Sequence, residues 1–543
     1  MLNVQMTMSC ALREVATSRT GQEALVCGDV RLTYGQLLER VDGLANGLHR
    51  LGVGKGDRVA CILPPGPEHG VLFFAVAELG AVIVPLSPQV RPRQLNDVLA
   101  DALPVALVTS QPLDGALVQL PPGLLIVQAG PSAPSGVPFG ELLSGGGAPV
   151  PDAGVQPQDL HALLYTSGTT GKPKGAMHSH RSLIAPVVAS LKVRELWTRP
   201  RQLKQVGQMA VALARYREKL LRMVGRPFTF LSTAGWHGIT GIQVMLEALL
   251  MGDKLVVMPQ FDPRRCLELI QKERVTLLVA VPMAYQVMLS LDDLDSYDTS
   301  SLVICGTGTA PCPPDLGREI QRRFGCALYI GFGATEMGGG VAITSLSDSS
   351  RQQVETVGKP LPGVGIKIVD EQRREVPPGE VGELVCRGDN IMLGYYQDPE
   401  LSASAVDAEG WYYTGDLARL DEKGYLRIVG RKKDVIIRGG QNIYPVEIEH
   451  YLVAHPKIRE AAVVGVPAGV QGENVWAFVR LEEGVEMSAQ EVKDHCRQAL
   501  EAHKVPAQVR FVADFPRGEM GKPQKYRLRE LAQEELKEAN DER

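Results

Sequence analysis

The strongest constraint on the fold of this 543-residue chain is an alternation of short apolar runs with helix-length amphipathic segments. The runs "DRVACILPP", "AVIVPLSP" and "PVALVTS" alternate with "EHGVLFFAVAELG" and "RPRQLNDVLADA". A second set contains "DKLVVMP", "VTLLVAVP" and "SLVICGTGT". Because a strand followed by a helix and a further strand builds a parallel sheet, this rhythm is typical of α/β layers. The chain is therefore predicted to contain two doubly wound α/β subdomains.

The pattern changes near Val354. From there, alternating strands are separated by Pro and Gly, as in "VGKPLPGVGIKIVDEQRREVPPGEVGELVCRG", which favours a small β-barrel or a curled sheet. After "GRKKD", about 110 residues with both helix and strand patterns suit a small α+β domain. We predict a large N-terminal domain over residues 1–432 and a small C-terminal domain over residues 433–543, with the boundary at Lys433.

Charge and cysteine usage narrow the class of protein. A formal charge of −5 with 44% hydrophobic residues is typical of a globular protein without the basic excess that nucleic acid requires. The nine cysteines are scattered, with no CxxC pair and no zinc-ligand spacing, which indicates a reducing compartment. The longest apolar stretch is interrupted by Glu78 and Gly80, and the N-terminus lacks the apolar core of a signal peptide. We expect a cytoplasmic protein with no membrane span.

The segment "YTSGTTGKPKG", from Tyr165 to Gly175, is predicted to bind phosphate. Its small and hydroxyl side chains let backbone N–H groups approach an anion, and its lysines add positive charge. A Walker A loop is excluded, because the glycine spacing is wrong and Pro173 follows Lys172. The segment is instead a hydroxyl-rich loop after the apolar strand "HALLY".

With this loop and five further motifs in order, the chain resembles the adenylate-forming enzymes, which include acyl-CoA synthetases, beetle luciferases and the adenylation domains of peptide synthetases. The other motifs are "GFGATE", "GELVCRGDNIMLGYY", "YYTGDL", "GRKKDVIIRGGQNIYPVEIE" and "PRGEMGKPQKYRLR". The resemblance covers nearly the whole chain and implies a mobile C-terminal domain and an acyl-adenylate intermediate made from ATP.

The resemblance also implies residue roles. Glu336 would hold Mg²⁺, whose octahedral shell suits carboxylate and phosphate oxygens. Asp416 would accept from the ribose hydroxyls, Arg431 would reach the same sugar or its phosphate, and Phe332 would stack on adenine. The residues implied in ATP binding are Thr166, Ser167, Gly168, Thr169, Thr170, Gly171, Lys172, Lys174, Gly308, Thr309, Ala310, Gly331, Phe332, Gly333, Ala334, Thr335, Asp416 and Arg431.

The acyl pocket is predicted from "STAGWHGITG" and three glycines. By resemblance Trp236 and His237 line the pocket that holds the acid. Neither supplies a negative charge to pair with the α-ammonium group of an amino acid, so an amino-acid substrate is disfavoured. Acetate-specific relatives have tryptophan at the position of Gly333, so glycine there favours a larger fatty, aromatic or alicyclic acid. Gly306 and Gly331 indicate the same, although glycine also serves backbone turns.

The C-terminal motifs imply the second half of the reaction. Gly439 and Gly440 would line the path of the coenzyme A thiol, Lys433 would be the hinge of domain rotation, and Lys522 would be the catalytic lysine of adenylation. His237 is the remaining candidate in the catalytic set. We expect no carrier domain after Arg529, so coenzyme A is the favoured acceptor and a carrier-protein phosphopantetheine is the alternative.

Residues 191–226 carry ten Lys or Arg against two Glu, with helical spacing of apolar residues. A solvated helical insertion is the simpler interpretation, and contact with an anionic membrane or a carrier protein is the other.

Two further functions are considered. A luciferase-like oxidase would share the adenylation half, and a nucleotide sensor without catalysis would have no need of Lys522. The oligomeric state is left open.

Overall fold

The computed structural model describes residues 2–131, 133–144, 150–167, 173–198, 203–223, 226–468, 472–517 and 523–541. The chain divides into two compact units. The first comprises Met1–Ile366 and Cys386–Tyr412, and the second comprises Lys367–Val385 and Tyr413–Arg543. The second unit thus includes strands that precede Lys433, and the domain boundary inferred at that residue stays a prediction.

The helices are α1 (Met8–Ser18), α2 (Tyr34–Arg50), α3 (Pro67–Glu78), α4 (Pro92–Ala102), α5 (Phe139–Leu143), α6 (His180–Thr198), α7 (Leu203–Met223), α8 (Ile239–Leu250), α9 (Pro263–Glu273), α10 (Pro282–Leu289), α11 (Pro314–Phe324), α12 (Ser350–Glu355), α13 (Pro399–Ala405), α14 (Pro445–Val453), α15 (Ala489–Arg497) and α16 (Lys525–Asp541). Short 3₁₀ turns at Thr335–Met337 and Lys432–Asp434 carry residues of the candidate site.

The strands of the first unit are β1 (Glu23–Cys27), β2 (Val30–Thr33), β3 (Arg58–Ile62), β4 (Val82–Leu86), β5 (Ala106–Thr109), β6 (Leu125–Gln128), β7 (Val137–Pro138), β8 (Leu160–Ser167), β9 (Pro173–Ser179), β10 (Thr229–Ser232), β11 (Lys254–Val257), β12 (Leu277–Val279), β13 (Ile304–Thr307), β14 (Ala327–Ala334), β15 (Gly339–Ile343) and β16 (Lys359–Pro360). The remaining strands are β17 (Gly365–Val369), β18 (Gly382–Arg387), β19 (Gly394–Tyr395), which also belongs to the first unit, β20 (Tyr412–Leu420), β21 (Leu426–Arg431), β22 (Ile436–Arg438), β23 (Gln441–Ile443), β24 (Ile458–Pro467), β25 (Glu473–Leu481) and β26 (Gln508–Phe511).

Two large sheets form the first unit, which confirms the predicted pair of α/β subdomains. One has eight strands in the order β19-β9-β8-β4-β3-β5-β6-β7, and the other has nine in the order β16-β15-β14-β13-β12-β10-β11-β1-β2. The central strands of both are parallel, whereas β9, β15 and β2 pair antiparallel with their neighbours.

The sheets are buried on both faces, which explains why their strands read as continuous apolar runs. Along β3, Val59 and Cys61 join a large core that also contains α1, α2, α3, α8 and strands of the nine-stranded sheet. Ala60 and Ile62 face the opposite way and pack with α4. Because successive strand residues point to opposite faces, a strand with helices on both sides requires apolar residues at every position.

Three smaller sheets in the described ranges belong largely to the second unit, and one of them is the two-stranded pair β22-β23. The strands that follow the α/β layers form a four-stranded sheet in the order β17-β18-β20-β21, so of the two predicted forms the structure has the sheet. The C-terminal part has a three-stranded sheet, β24-β25-β26, with α14 and α15 packed in one core and α16 in another. This is the predicted small α+β arrangement.

Residues 191–226 contribute to two helices, α6 and α7, as the apolar spacing predicts. Several of the basic side chains serve the fold. Arg194 pairs with the buried Asp253 at 2.6 Å, and the Lys219 ammonium donates to two carbonyl oxygens, those of Leu302 and Phe324. Arg199 and Arg201 lie outside the described residues, as do the side chains of Lys204 and Arg222. Across the described ranges, no helix is long and apolar enough to cross a membrane.

Candidate active site

The predicted phosphate-binding segment lies between two paired strands. Strands β8 and β9 pair antiparallel, with Thr166 opposite Lys174 and Ser167 opposite Pro173. A strand, not a helix, therefore follows the loop, in agreement with the exclusion of a Walker A fold. The residues between the two strands, Gly168, Thr169, Thr170, Gly171 and Lys172, lie outside the described residues. Thr166, Ser167 and Lys174 flank them with two hydroxyls and one ammonium, and their contact with phosphate stays a prediction.

A buried histidine joins this hairpin to the next motif. His178 on β9 donates through Nε2 to the Thr335 carbonyl at 2.8 Å, and its Nδ1 lies 3.1 Å from the Ser182 hydroxyl. Burial lowers the pKa of His178 to about 4, so the ring is neutral at physiological pH. A neutral ring has one donor and one acceptor nitrogen, which suits these two partners. The contact holds the turn that carries Glu336 against β9.

Glu336 lies in the 3₁₀ turn Thr335–Met337, and its neighbours hold both its backbone and its side chain. The Tyr395 hydroxyl donates to Glu336 Oε1 at 3.1 Å, and the Met392 N–H donates to the Glu336 carbonyl at 3.0 Å. Burial and the nearby carboxylate raise the pKa of Tyr395, so its hydroxyl keeps its proton.

The donor set fits Mg²⁺ held mainly by its substrate. Among the described residues there is no group of three His, Cys, Asp or Glu side chains placed to hold a metal ion. One carboxylate oxygen of Glu336 together with phosphate oxygens and water would complete the octahedral shell that Mg²⁺ prefers. This is the arrangement expected of an ion that arrives with ATP.

The predicted adenine segments meet at adjacent parallel strands, β13 and β14. A side chain at Gly308 would bring its Cβ within 2.8 Å of the Gly331 carbonyl, so glycine allows the two segments to approach. The next residue, Thr309, has a left-handed φ of 64°, which is costly for a residue with a branched side chain. Ala310 follows it, and Phe332 is half-buried on β14. Strain at a predicted ligand segment is consistent with a functional role.

The three pocket glycines differ in what surrounds them. A Cβ on Gly333 would lie 1.8 Å from the Gly339 carbonyl oxygen, so the close approach of β14 and β15 itself requires glycine. The interpretation of Gly333 as space for a large acid is thereby weakened. A Cβ on Gly331 would meet nothing closer than 3.9 Å, and one on Gly306 nothing closer than 3.4 Å. Of the three, only Gly306 and Gly331 have space for a side chain, and their place in an acyl pocket stays a prediction.

Trp236 and His237 lie before α8. The Trp236 side chain is only 2% exposed and packs edge-on against His69 of α3, with ring centroids 5.6 Å apart. It is thus part of the core that separates the sheets. The ring of His237 lies over Gly235, where a Cβ would approach within 2.5 Å of its Cε1 atom. Lining of the acid by these two residues stays a prediction.

The predicted ribose-binding pair is formed within the second unit. Asp416 on β20 lies opposite Arg431 on β21, and Arg431 Nε donates to Asp416 Oδ1 at 2.9 Å. The Asp416 carboxylate is buried, whereas Arg431 is half exposed. The Asp416 N–H donates to the Thr414 hydroxyl at 3.0 Å, and that hydroxyl donates to the Leu384 carbonyl at 2.8 Å. The carboxylate is therefore held in one orientation, as binding of two vicinal hydroxyls requires.

Glu383 and Lys433 lie beside this pair. Glu383 accepts from the Gly415 N–H at 3.1 Å and from the Lys432 ammonium at 3.0 Å, so it joins β20 to the turn after β21. Partial burial lowers the pKa of the Lys433 ammonium, and the positive charges of Arg431 and Arg529 lower it further against the effect of Asp434. The predicted hinge residue thus lies among charged neighbours in the second unit.

Gly439 and Gly440 form the two-residue turn between β22 and β23. Both have left-handed backbones, with φ of 57° and 77°, and Arg438 pairs with Gln441 across them. This is the backbone of a type I′ hairpin, which favours glycine at both central positions. A Cβ on either would meet nothing within 4 Å. The local backbone is therefore sufficient reason for both glycines, and their place in a thiol path stays a prediction.

Lys522 lies outside the described residues, but the described residues on either side of it are held in place. Arg517 and Pro523 form an antiparallel bridge, and Arg517 binds Glu460 through two nitrogens at 3.0 and 2.6 Å. Lys525, at the start of α16, pairs with Glu449 at 2.6 Å. The described residues on either side of Lys522 are thus held by contacts with other elements, Arg517 by β24 and Lys525 by α14.

The sequence interpretation missed the supporting residues Tyr395, Glu383, Thr414 and His178. All four lie in or beside the quoted motifs, but residue type alone did not distinguish them from their neighbours. Their partners are distant in the chain, so only the fold reveals what they hold.

Comparison with known proteins agrees with this geometry. Residues 12–396 match the family model described as AMP-binding enzyme, and residues 447–522 match the model described as AMP-binding enzyme C-terminal domain. The chain is 32% identical to a putative acyl-CoA synthetase, YngI, of Bacillus subtilis (strain 168), over 97% of each chain. It is 34% identical to a feruloyl-CoA synthase of Amycolatopsis sp, over 91% of this chain and 93% of the relative.

Solved structures show the same relationship. The crystal structure of the anthranilate CoA ligase AuaEII in complex with anthranoyl-AMP superposes with a TM-score of 0.83 at 25% identity, over 98% of this chain and 99% of the other. ATP-bound MatB from Rhodopseudomonas palustris superposes with a TM-score of 0.81 at 28% identity, over 97% and 99%. The chain therefore belongs to the AMP-binding family of adenylate-forming enzymes, in its acyl-CoA synthetase branch.

Proposed function

We propose that this enzyme converts a carboxylic acid larger than acetate, without an α-amino group, into its coenzyme A thioester, with ATP giving AMP and pyrophosphate. The observation that carries this proposal is the grouping of Lys174, Glu336 and Tyr395, which brings a cation and a metal-binding carboxylate together beside the predicted phosphate loop. The relatives named for feruloyl-CoA and anthranilate support an aromatic acid, and a human relative named a medium-chain acyl-CoA ligase, 31% identical, supports a fatty acid.

In the first step the acid's carboxylate oxygen attacks the α-phosphorus of ATP. A P–O bond forms as the bond to the β-phosphate oxygen breaks, and pyrophosphate leaves. Thr166, Ser167 and Lys174 would hold the phosphates, while Mg²⁺ at Glu336 would neutralise charge on them. In the proposal Asp416 and Arg431 bind the ribose, and Phe332 stacks on adenine. Lys522 would stabilise the charge that develops at the reacting oxygens.

In the second step the thiol attacks the acyl carbon and AMP leaves. The thiol loses its proton to solvent, and the C–O bond to AMP breaks as the C–S bond forms. We propose that rotation about Lys433 exchanges Lys522 for the face of the β22–β23 turn that carries Gly440. A carrier-protein phosphopantetheine is the alternative acceptor.

All nine cysteines lie in the described ranges and are free thiols, which supports a cytoplasmic location as part of the proposal.

The proposal predicts the products. Purified enzyme incubated with ATP, Mg²⁺ and coenzyme A should release pyrophosphate and AMP in equal amounts with one class among fatty, aromatic and alicyclic acids, and acetate should be a poor substrate. Mass spectrometry of the thioester identifies the acid. Release of ADP and phosphate would contradict the assignment. Transfer to a carrier protein but not to coenzyme A would favour the alternative acceptor, and light from luciferin with ATP would favour the oxidase.

For residues 191–226 we propose contact with an anionic lipid surface. One face of α7 packs through Ala212 into the core, whereas Val206, Val211 and Arg217 of the same helix are exposed. Exposed apolar residues and positive charge on one helix suit a lipid surface better than the rim of a protein contact.

Vesicle sedimentation tests this contact. The enzyme should bind phosphatidylglycerol vesicles and not phosphatidylcholine vesicles, and the Val206→Ser/Val211→Ser variant should bind several-fold less. Val30→Ser, at a similarly exposed valine on β2, is the matched control and should bind normally. Equal sedimentation of both variants, or binding to an acidic carrier protein instead of vesicles, would contradict the lipid proposal.

A further inference from the structure

Tyr395 connects two groups that the proposed reaction uses to bind the ATP phosphates and their Mg²⁺. Its hydroxyl donates to Glu336 Oε1 at 3.1 Å. Its ring lies beneath the Lys174 ammonium, which is 5.9 Å from the ring centroid. A cation at this distance from an aromatic face is attracted by the negative face of the ring. One side chain thus contacts both the cation at the base of the phosphate hairpin and the carboxylate of the predicted Mg²⁺ site.

The backbone around Tyr395 is fixed from several directions. Strand β19 pairs with β9, with Tyr395 opposite Ala176. The Tyr395 N–H donates to the Ser402 hydroxyl at 2.8 Å, and the next residue, Tyr396, donates its N–H to the Gly175 carbonyl at 2.8 Å. The backbone of Tyr395 therefore has little freedom to move relative to β9, so the position of this residue can determine where its two partners lie.

The turn that carries Glu336 is held independently of this contact. The Asn390 amide donates to the Met337 carbonyl at 2.8 Å, and His178 donates to the Thr335 carbonyl at the same distance. The backbone of the turn would therefore stay in place without the tyrosine hydroxyl. The hydroxyl adds a fixed orientation of the Glu336 carboxylate. A hydrogen bond at Oε1 fixes the plane of the carboxylate and therefore the direction of Oε2.

We propose that Tyr395 is a positioning residue that orients Glu336 toward Mg²⁺ and Lys174 toward the phosphates. The inference rests on the proposed function, since both partners act on ATP. A hydrogen bond to a metal-binding carboxylate fixes its orientation, and loss of such a bond commonly weakens metal binding by ten- to a hundredfold. The hydroxyl and the ring should contribute separately, the first to metal binding and the second to phosphate binding.

Two variants separate these contributions. Tyr395→Phe keeps the ring beneath Lys174 and removes only the hydroxyl, so the Mg²⁺ concentration for half-maximal ATP–pyrophosphate exchange should rise about tenfold. Its affinity for ATP without metal should match the wild type. Tyr395→Leu removes the ring as well, so metal-free ATP affinity should also fall, by roughly two- to fivefold. Tyr396→Phe removes a hydroxyl from the adjacent residue and should change neither quantity.

Calorimetric titration of ATP with and without Mg²⁺, in the absence of the acid, measures binding without turnover. A Mg²⁺ dependence in Tyr395→Phe equal to that of Tyr396→Phe would overturn the inference. The inference would also be overturned if Tyr395→Phe melted at a lower temperature and lost thioester formation from supplied acyl adenylate as well. That pattern indicates a structural role. If the wild type fails to bind ATP with Mg²⁺, the proposed function fails, and this inference fails with it. Binding by the wild type together with an unaffected Tyr395→Phe overturns the inference alone.

Discussion

Lys522→Ala should lower the rate of ATP–pyrophosphate exchange by roughly 100- to 1000-fold, the usual effect of removing a charge-stabilising donor from a preorganised site. The lysine would contact the carboxylate and phosphate oxygens only while the adenylate forms. After domain rotation it would be absent from the cleft. The same variant should therefore still convert supplied acyl adenylate and coenzyme A into thioester at close to the wild-type rate.

Lys525 offers a matched control for this experiment. It lies three residues further along, and its ammonium pairs with Glu449 at 2.6 Å, so its role in the structure is within the second unit. Lys525→Ala should keep both half-reactions within a few-fold of the wild type. Normal exchange by Lys522→Ala would contradict its catalytic role. Equal loss of both half-reactions would indicate that the residues between Arg517 and Pro523 serve the fold and not adenylation.

Gly440→Leu should block thioester formation while ATP–pyrophosphate exchange continues. The rate of thioester formation should fall by roughly 100-fold or more, as it does when reactants are misplaced. The expected reason is steric, since a Cβ there meets no protein atom within 4 Å and the leucine would extend into the space proposed for the thiol arm. The substitution also has a backbone cost of about 1–2 kcal/mol, because φ is +77° and side chains disfavour the left-handed region. Thermal unfolding of the variant measures that cost.

Gly424→Leu separates the steric effect from the backbone effect. Gly424 lies in the turn between β20 and β21 with φ of +78°, and a Cβ there likewise meets nothing within 4 Å. Both variants should lose similar stability, but only Gly440→Leu should lose thioester formation. If the two variants keep both half-reactions equally well, Gly440 serves the type I′ turn alone, as the hairpin geometry by itself would allow.

The α/β layers could be predicted because their strands are buried on both faces. Val59, Ala60, Cys61 and Ile62 alternate between two cores, and so each had to be apolar. Local periodicity carries that information directly. The order of strands did not follow from it. The placement of β10 between β11 and β12 depends on how distant helices pack, which no short window of sequence contains.

Residues of the candidate site could be predicted where a motif contains a side chain with a definite chemical role. Asp416 and Arg431 were inferred separately, and the structure pairs them across adjacent strands at 2.9 Å. Gly333 shows the opposite case. Its lack of a side chain looked like space for the acid, yet the carbonyl of Gly339 occupies that position. A glycine in a sequence does not reveal whether ligand or backbone fills the space beside it.

The sequence by itself determined the layered α/β class, the small α+β end and the ordered motifs, because hydrophobic period, turn residues and motif spacing are local properties of the chain. Only the tertiary structure decided which groups meet. Tyr395 contacts both Lys174 and Glu336, and His178 supports the turn before Glu336, because β19 and the 3₁₀ turn come to lie beside β9. These contacts join segments far apart in sequence, and their geometry follows from sheet order and packing, which are properties of the whole fold.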